Sequence, residues 1–148
     1  MTISLVVSLA DAITIHHGEP LVGTVRVDGS KNAALPLIAT AAAVGRLVHL
    51  GNVPSCQDVR TLLDLLRRCG YSVARSATNT EEVAILRPPN GHAPPELAEV
   101  SSIRASYYLV PVLLASCGEA RLPWPGGCAV GERGMDLHFR IYEACQRP

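Results

Sequence analysis

The chain has 148 residues, and its 13 basic and 13 acidic side chains leave no formal net charge. That balance gives no electrostatic reason to expect a nucleic acid or an anionic membrane as partner, and no apolar run reaches the roughly 18 residues of a membrane span. A hydrophobic content of 48% is ample for a core, and five cysteines without a C-x-x-C pair suggest neither a disulfide framework nor zinc, so no metal and no cofactor are expected.

The first residues, Ile3 to Leu9 followed by Ala10-Asp11-Ala12, have the outline of a signal peptide. They lack a basic leading region and the apolar run is short, so a cytoplasmic protein is expected. Residues 13–17 and 21–28 then read as strands from their β-branched content and alternation. Gly29-Ser30-Lys31-Asn32-Ala33-Ala34-Leu35-Pro36-Leu37 reads as a strand end and a helix start, with Ser30 as N-cap and Lys31 and Asn32 in the first turn. Free N–H groups there favour an anion, and Lys31 adds a full charge. The competing reading is a solvated lysine on a surface turn.

Residues 33–44 are apolar on every side except Thr40, so this helix is expected to be buried all round. A strand over 46–50 leads to Asn52-Val53-Pro54. Ser55-x-x-Asp58 reads as a variant capping box, opening a helix whose core stripe is Val59, Leu62, Leu63 and Leu66. Strands over 71–75 and 83–87 precede a proline-rich linker running from Pro88-Pro89 to Pro94-Pro95. A second apolar helix follows over 107–117, then a strand over 120–123. Each apolar helix carries a proline, Pro36 or Pro111, placed where it would cost about 3 kcal/mol in an ordinary helix interior.

These parts repeat. Residues 30–45 and 103–118 have the same length, and each runs from a basic residue (Lys31, Arg104) through an apolar helix to a closing glycine. A short strand, a proline-containing loop and an amphipathic helix opening with an aspartate (Asp58, Asp136) come next. One unit covers about 22–90. A second, about 98–148, stops where a strand should follow its last helix. Apolar helices beside strands with one dry face imply helices inside and sheets outside, an α/β arrangement.

Near the end, Pro125-Gly126-Gly127-Cys128-Ala129-Val130-Gly131-Glu132-Arg133 precedes Gly134-Met135-Asp136-Leu137-His138. Glycines around Cys128 let a ligand approach the backbone closely, and a nearby guanidinium can lower a thiol pKa. The alternative is a glycine-rich turn holding a small incidental cysteine.

Taken together, the segments at 29–36, 52–59, 104–106 and 125–138 resemble the enolpyruvyl transferases, in particular those using a UDP-sugar. That family carries Gly-Ala-Lys-Asn-Ala-Ala-Leu-Pro, matched from Gly29 to Pro36 with Ser30 for the alanine. Its Asn-Val-Pro and Asp-Val are matched at Asn52-Val53-Pro54 and Asp58-Val59, and its Arg-Ala-Ser at Arg104-Ala105-Ser106. Its Pro-Gly-Gly-Cys loop and following Gly-x-Arg-Pro-Val-Asp-Leu-His are matched except at Gly134 and Met135, where the family has Pro-Val.

The resemblance implies part of an inside-out α/β barrel, truncated to the first third or so of a family member. It implies transfer of the enolpyruvyl group from phosphoenolpyruvate to a hydroxyl of UDP-N-acetylglucosamine, a step of peptidoglycan synthesis. Cys128 would donate a proton and would be the residue that fosfomycin, the family's epoxide-phosphonate inhibitor, alkylates. Lys31, Asn32 and Arg133 would bind phosphoenolpyruvate. Arg104, with Arg133, Gly134, Met135, Asp136 and Leu137, would hold the UDP-sugar. For Arg104 a snorkelling surface arginine stands as the alternative, and for Asp136 a helix N-cap. His138 is expected to pack, and His16, His17, His49 and His92 have no constellation around them. Cys56, Cys69, Cys117 and Cys145 are expected to be small structural hydrophobes. The Gly134-Met135 departure leaves another uridine nucleotide open as acceptor, and a catalytically silent fragment remains a further alternative.

Overall fold

The computed structural model describes residues 6–7, 13–14, 18, 20–79, 81–87, 104–122 and 134–145. Two short strands, β1 (Val6–Val7) and β2 (Ile13–Thr14), pair antiparallel. Residues 21–28, expected as a strand, form none. Strand geometry needs a ladder, and this segment has no ladder partner among the described residues, so Leu21, Val22, Val25 and Val27 stand 83–98% exposed. The segment is tied at its far end, where Arg26 pairs with Glu81 at 3.1 Å.

Helix α1 (Lys31–Ala43) is the centre of the structure, packing against the sheet and two other helices. Its small side chains make this close approach feasible: Ala34, Ala39, Ala41 and Ala42 are buried beside Leu35 and Ile38. Burial all round is not reached. Leu37, Thr40 and Val44 lie three and four residues apart and share one outward face, with Leu37 55% exposed. Pro36 sits inside the helix, and its carbonyl accepts a hydrogen bond from the Thr40 hydroxyl at 2.9 Å.

Strand β3 (Val48–Leu50) follows, then α2 (Gln57–Arg68), β4 (Ser72–Arg75) and β5 (Val83–Leu86). The sheet order is β3-β5-β4 with β5 antiparallel to both neighbours, so β3 and β4 run parallel with β5 between them. Register places Val48, Ile85 and Val73 in one row and Leu50 and Val83 in the next, forming the face turned to the helices. His49, Ala84 and Ala74 form the opposite row, where His49 and Ala74 are exposed. Among the described residues the helices thus cover one face of a small sheet, a mixed α/β arrangement. Helix α2 buries the expected stripe of Val59, Leu62, Leu63 and Leu66, with Leu65 added. Side chains of this size contribute about 1.5–3 kcal/mol each on full burial.

The second apolar segment is built differently from the first. A 3-10 helix (Arg104–Tyr108) leads into α3 (Leu109–Cys117), which packs on α1. Pro111 therefore falls in the first turn of α3, where a missing N–H costs little. This corrects the expectation that it carries the cost of a proline in a helix interior. Gly45 and Gly118 both adopt positive φ, 79° and 77°, conformations that glycine enters without strain. Residues 120–122 form no strand. Helix α4 (Asp136–Cys145) buries none of its residues and exposes Leu137 and Ile141. Among the described residues no helix is long and apolar enough to cross a membrane.

Candidate functional site at the helix N-termini

Ser30 is the N-cap of α1: its backbone is extended and its hydroxyl accepts from the Ala33 N–H at 3.4 Å. Lys31 and Asn32 are the first two residues of the helix, and both are exposed. The unpaired N–H groups of a first helical turn carry partial positive charge, which makes a lysine there unfavourable unless an anion is near. The chain supplies one. Lys31 Nζ donates to Asp58 Oδ2 at 2.7 Å, with the two side chains 49% and 34% exposed.

Asp58 is the second residue of α2, a position whose own helix dipole welcomes negative charge. Its expected role in a capping box is not what the structure has. The N-cap of α2 is Cys56, which makes no side-chain cap. Ser55 instead accepts from Arg60 Nη2 through its carbonyl and its hydroxyl, at 3.0 and 3.1 Å. A partner 27 residues away had already claimed the carboxylate.

The turn between β3 and α2 closes the site from the side. Asn52 takes a positive φ of 55°, and the Val53 N–H is fixed by the Glu81 carbonyl at 2.8 Å. Gly29 abuts this turn so closely that a Cβ would overlap the Asn52 carbonyl oxygen. Between α1 and the turn lies a groove of about 190 Å³, lined by Ser30, Ala33, Leu37, Asn52 and Val53 among others. Neither Lys31 nor Asn32 lines this groove; both stand at the same helix start, whose unpaired N–H groups favour an anion.

Of the sequence-derived site residues, Lys31 and Asn32 are brought together here, with Asp58 added. Gly134, Met135, Asp136 and Leu137 stand at the start of α4. The Met135 carbonyl accepts from the Phe139 N–H at 3.1 Å, so Met135 holds the N-cap position and Asp136 is the first helical residue, not the cap. The Asp136 carboxylate folds over Gly134, where a Cβ would overlap Oδ1. Arg104 begins the 3-10 helix. Its side chain lies outside the described residues, as do Cys128 and Arg133, together with His16, His17 and His92. His138 is exposed rather than packed, because α4 has no described surface buried against it.

Four cysteines are described, and all have free thiols. Cys69 is buried, and burial pushes its thiol up to about 11, with Cys117 adding and Arg68 opposing. Cys56 and Cys117 are half-buried against the core. Cys145 is exposed, which departs from its reading as a small structural hydrophobe.

The mixed α/β segment is consistent with one enzyme family, and the sequence comparison shows it. The chain belongs to the EPSP synthase (3-phosphoshikimate 1-carboxyvinyltransferase) family, matched over residues 15–145. Within that family it is similar to the UDP-N-acetylglucosamine 1-carboxyvinyltransferase of Lawsonia intracellularis (strain PHE/MN1-00), 42% identical over 135 residues, which is 90% of this chain and 31% of that protein. The enzyme of the same name from Anaeromyxobacter sp. (strain K) is 44% identical over 135 residues, covering 90% of this chain and 32% of the relative. That from Cellvibrio japonicus (strain Ueda107) is 41% identical over 137 residues, 90% and 31% respectively. The chain thus spans about a third of the length of these relatives.

Proposed function

We propose that the chain forms part of an enolpyruvyl transferase acting in the cytoplasm on phosphoenolpyruvate and UDP-N-acetylglucosamine, in peptidoglycan synthesis. Residues 22–90 are one α/β unit of an inside-out barrel, and 98–148 begin a second. The acceptor hydroxyl adds to C2 of phosphoenolpyruvate while C3 gains a proton. The C2–O bond to phosphate then breaks and C3 gives up a proton, leaving the enol ether and free phosphate. Cys128 is the proton donor, a role for a thiol that is protonated yet readily ionised. Lys31, Asn32 and Arg133 neutralise and orient the phosphate and carboxylate of phosphoenolpyruvate. Arg104 and the stretch Arg133-Gly134-Met135-Asp136-Leu137 hold the nucleotide sugar.

The observation that supports this reading most is Lys31 with Asn32 at the α1 N-terminus, beside a groove and inside a chain 42% identical to a named UDP-N-acetylglucosamine 1-carboxyvinyltransferase. The test is a chimera in which this chain replaces the matching third of the Lawsonia intracellularis enzyme. Phosphate release dependent on both substrates, with the enolpyruvyl ether found by mass spectrometry, is the expected result. Absence of product from a folded chimera refutes it.

Gly134-Met135 supports a second reading, in which the acceptor is another uridine nucleotide. Gly134 is exposed and bare, with the Asp136 carboxylate folded over it. Phosphate release with UMP but not with the UDP-sugar would establish that reading instead.

A further inference from the structure

Three segments distant in sequence close a ring beside the start of α1, and Glu81 is where they meet. Its carboxylate accepts from Arg26 Nη2 at 3.1 Å, and its carbonyl accepts from the Val53 N–H at 2.8 Å. Asn52, next to Val53, lies against Gly29, which follows Arg26 by three residues. The ring runs from Arg26 through Glu81, Val53 and Asn52 to Gly29, and back along the chain. Glu81 is itself held, since its N–H donates to Asn79 Oδ1 at 3.1 Å.

The two sides of the ring differ in strength. On one side Val53 is buried and bonded through backbone atoms. On the other stands one ion pair, with side chains 81% and 32% exposed. Among the described residues, 21–28 make no other hydrogen bond or ion pair. Only Gly29 and Ser30 separate that segment from the helix turn that carries Lys31 and Asn32. Gly29 and Asn52 are both walls of the groove at this helix start, so the way the chain enters α1 sets the groove's shape.

We infer that Glu81 is a positioning residue: it clamps the chain entering α1 against the 51–54 turn and so shapes the phosphoenolpyruvate site at Lys31 and Asn32. This rests on the reading of those two residues as ligands of that substrate. Glu81 acts on them through Arg26 on one side and the 51–54 turn on the other.

The first measurement uses the 148-residue chain. Backbone N–H order parameters of residues 26–29 should fall from about 0.85 to about 0.6 in Glu81→Ala and in Arg26→Ala. Reversing the pair, Arg26→Glu with Glu81→Arg, should restore them. Unchanged values in both single variants overturn the inference, as does a reversed pair that restores nothing. Should Glu81→Ala fail to fold, salt of about 0.5 M screens the exposed pair in the unaltered chain and should give the same fall.

The second measurement uses the chimera. Glu81→Ala and Arg26→Ala should each raise KM for phosphoenolpyruvate about threefold, the size expected of a partly exposed ion pair, with kcat within about twofold. The double variant should lose no more than either single one. A mere long-range charge effect would instead move KM in opposite directions, because one variant removes a negative charge and the other a positive one. Opposite or additive shifts therefore overturn the inference. A folded chimera without transfer, but with the order-parameter losses intact, would refute the substrate reading and leave the hold of Glu81 on the chain entering α1 standing.

Discussion

Gly29 shows how finely a single residue governs the candidate site. It has no room for a methyl group because the Asn52 carbonyl occupies that space. Gly29→Ala must push the 51–54 turn away from α1, where Val53 is buried and bonded to Glu81. A cost of about 1–3 kcal/mol is expected from such overpacking, read as a lowered thermal midpoint, with weakened phosphoenolpyruvate binding in the chimera. Cys69 makes a second prediction. Its thiol stays protonated in the fold up to about 11 against an ordinary 9.0. The unfolded chain therefore loses its proton first as pH rises. Stability from this source is complete below pH 9 and is lost between pH 9 and 11, a fall of about 2–3 kcal/mol. Tyr71, also raised by burial, adds a loss of the same sign from its ordinary 10.0 upward. Denaturant unfolding across this range should show the decline, and Cys69→Ala should remove its earlier part. Among the thiols, fosfomycin should alkylate Cys128 in the folded chimera, as the proposed mechanism requires. Adduct mapping that finds Cys145 or Cys117 in preference would show that the loop is not an assembled active site. The placement of Lys31 and Asn32 in the first turn of α1 was legible because a cap residue and a following apolar run mark the helix start. Asp58 was not, since the local pattern offered it a cap and the true partner lies 27 residues back.

At the scale of elements, helix periodicity carried over well. The α2 stripe of Val59, Leu62, Leu63 and Leu66 is buried as its spacing requires, and Leu62→Ala should cost about 2–5 kcal/mol in chemical denaturation. Leu37→Ala on the open face of α1 should cost well under 1 kcal/mol. A strand is less legible, because alternation marks a surface ready to pair and says nothing of whether a neighbour is there. Residues 83–86 have two neighbours and become the central strand, while 21–28 have none in the described structure and stay irregular and exposed. The helix of 107–117 was legible as an apolar run. Its 3-10 entry was not, because only the backbone decides where Pro111 falls relative to the first α turn. The loop around Cys128 lies outside the described residues, so its role rests on resemblance alone.

As a whole molecule the 148-residue chain carries exposed apolar side chains along 21–27, on α1 and on α4. Exposed apolar surface favours association. Sedimentation velocity should show concentration-dependent oligomers, and Val25→Lys with Val27→Lys should reduce them. The chain alone should give no enolpyruvyl transfer, because it spans about 31% of the relatives' length and misplaced or missing catalytic groups cost orders of magnitude in rate. Measurable turnover from purified chain would overturn this. The sheet order has a further consequence, for the timing of folding. Strand β3 is made early in synthesis, yet its only neighbour among the described residues is β5, which arrives after α2 and β4. The β4–β5 hairpin forms from local contacts and is the quick step, while closing β3 onto it spans the whole of α2. Until residue 86 has left the ribosome, the apolar rows of β3 and α1 have no sheet to cover them. A nascent chain arrested before that point should be held by chaperones, and one arrested well beyond it released.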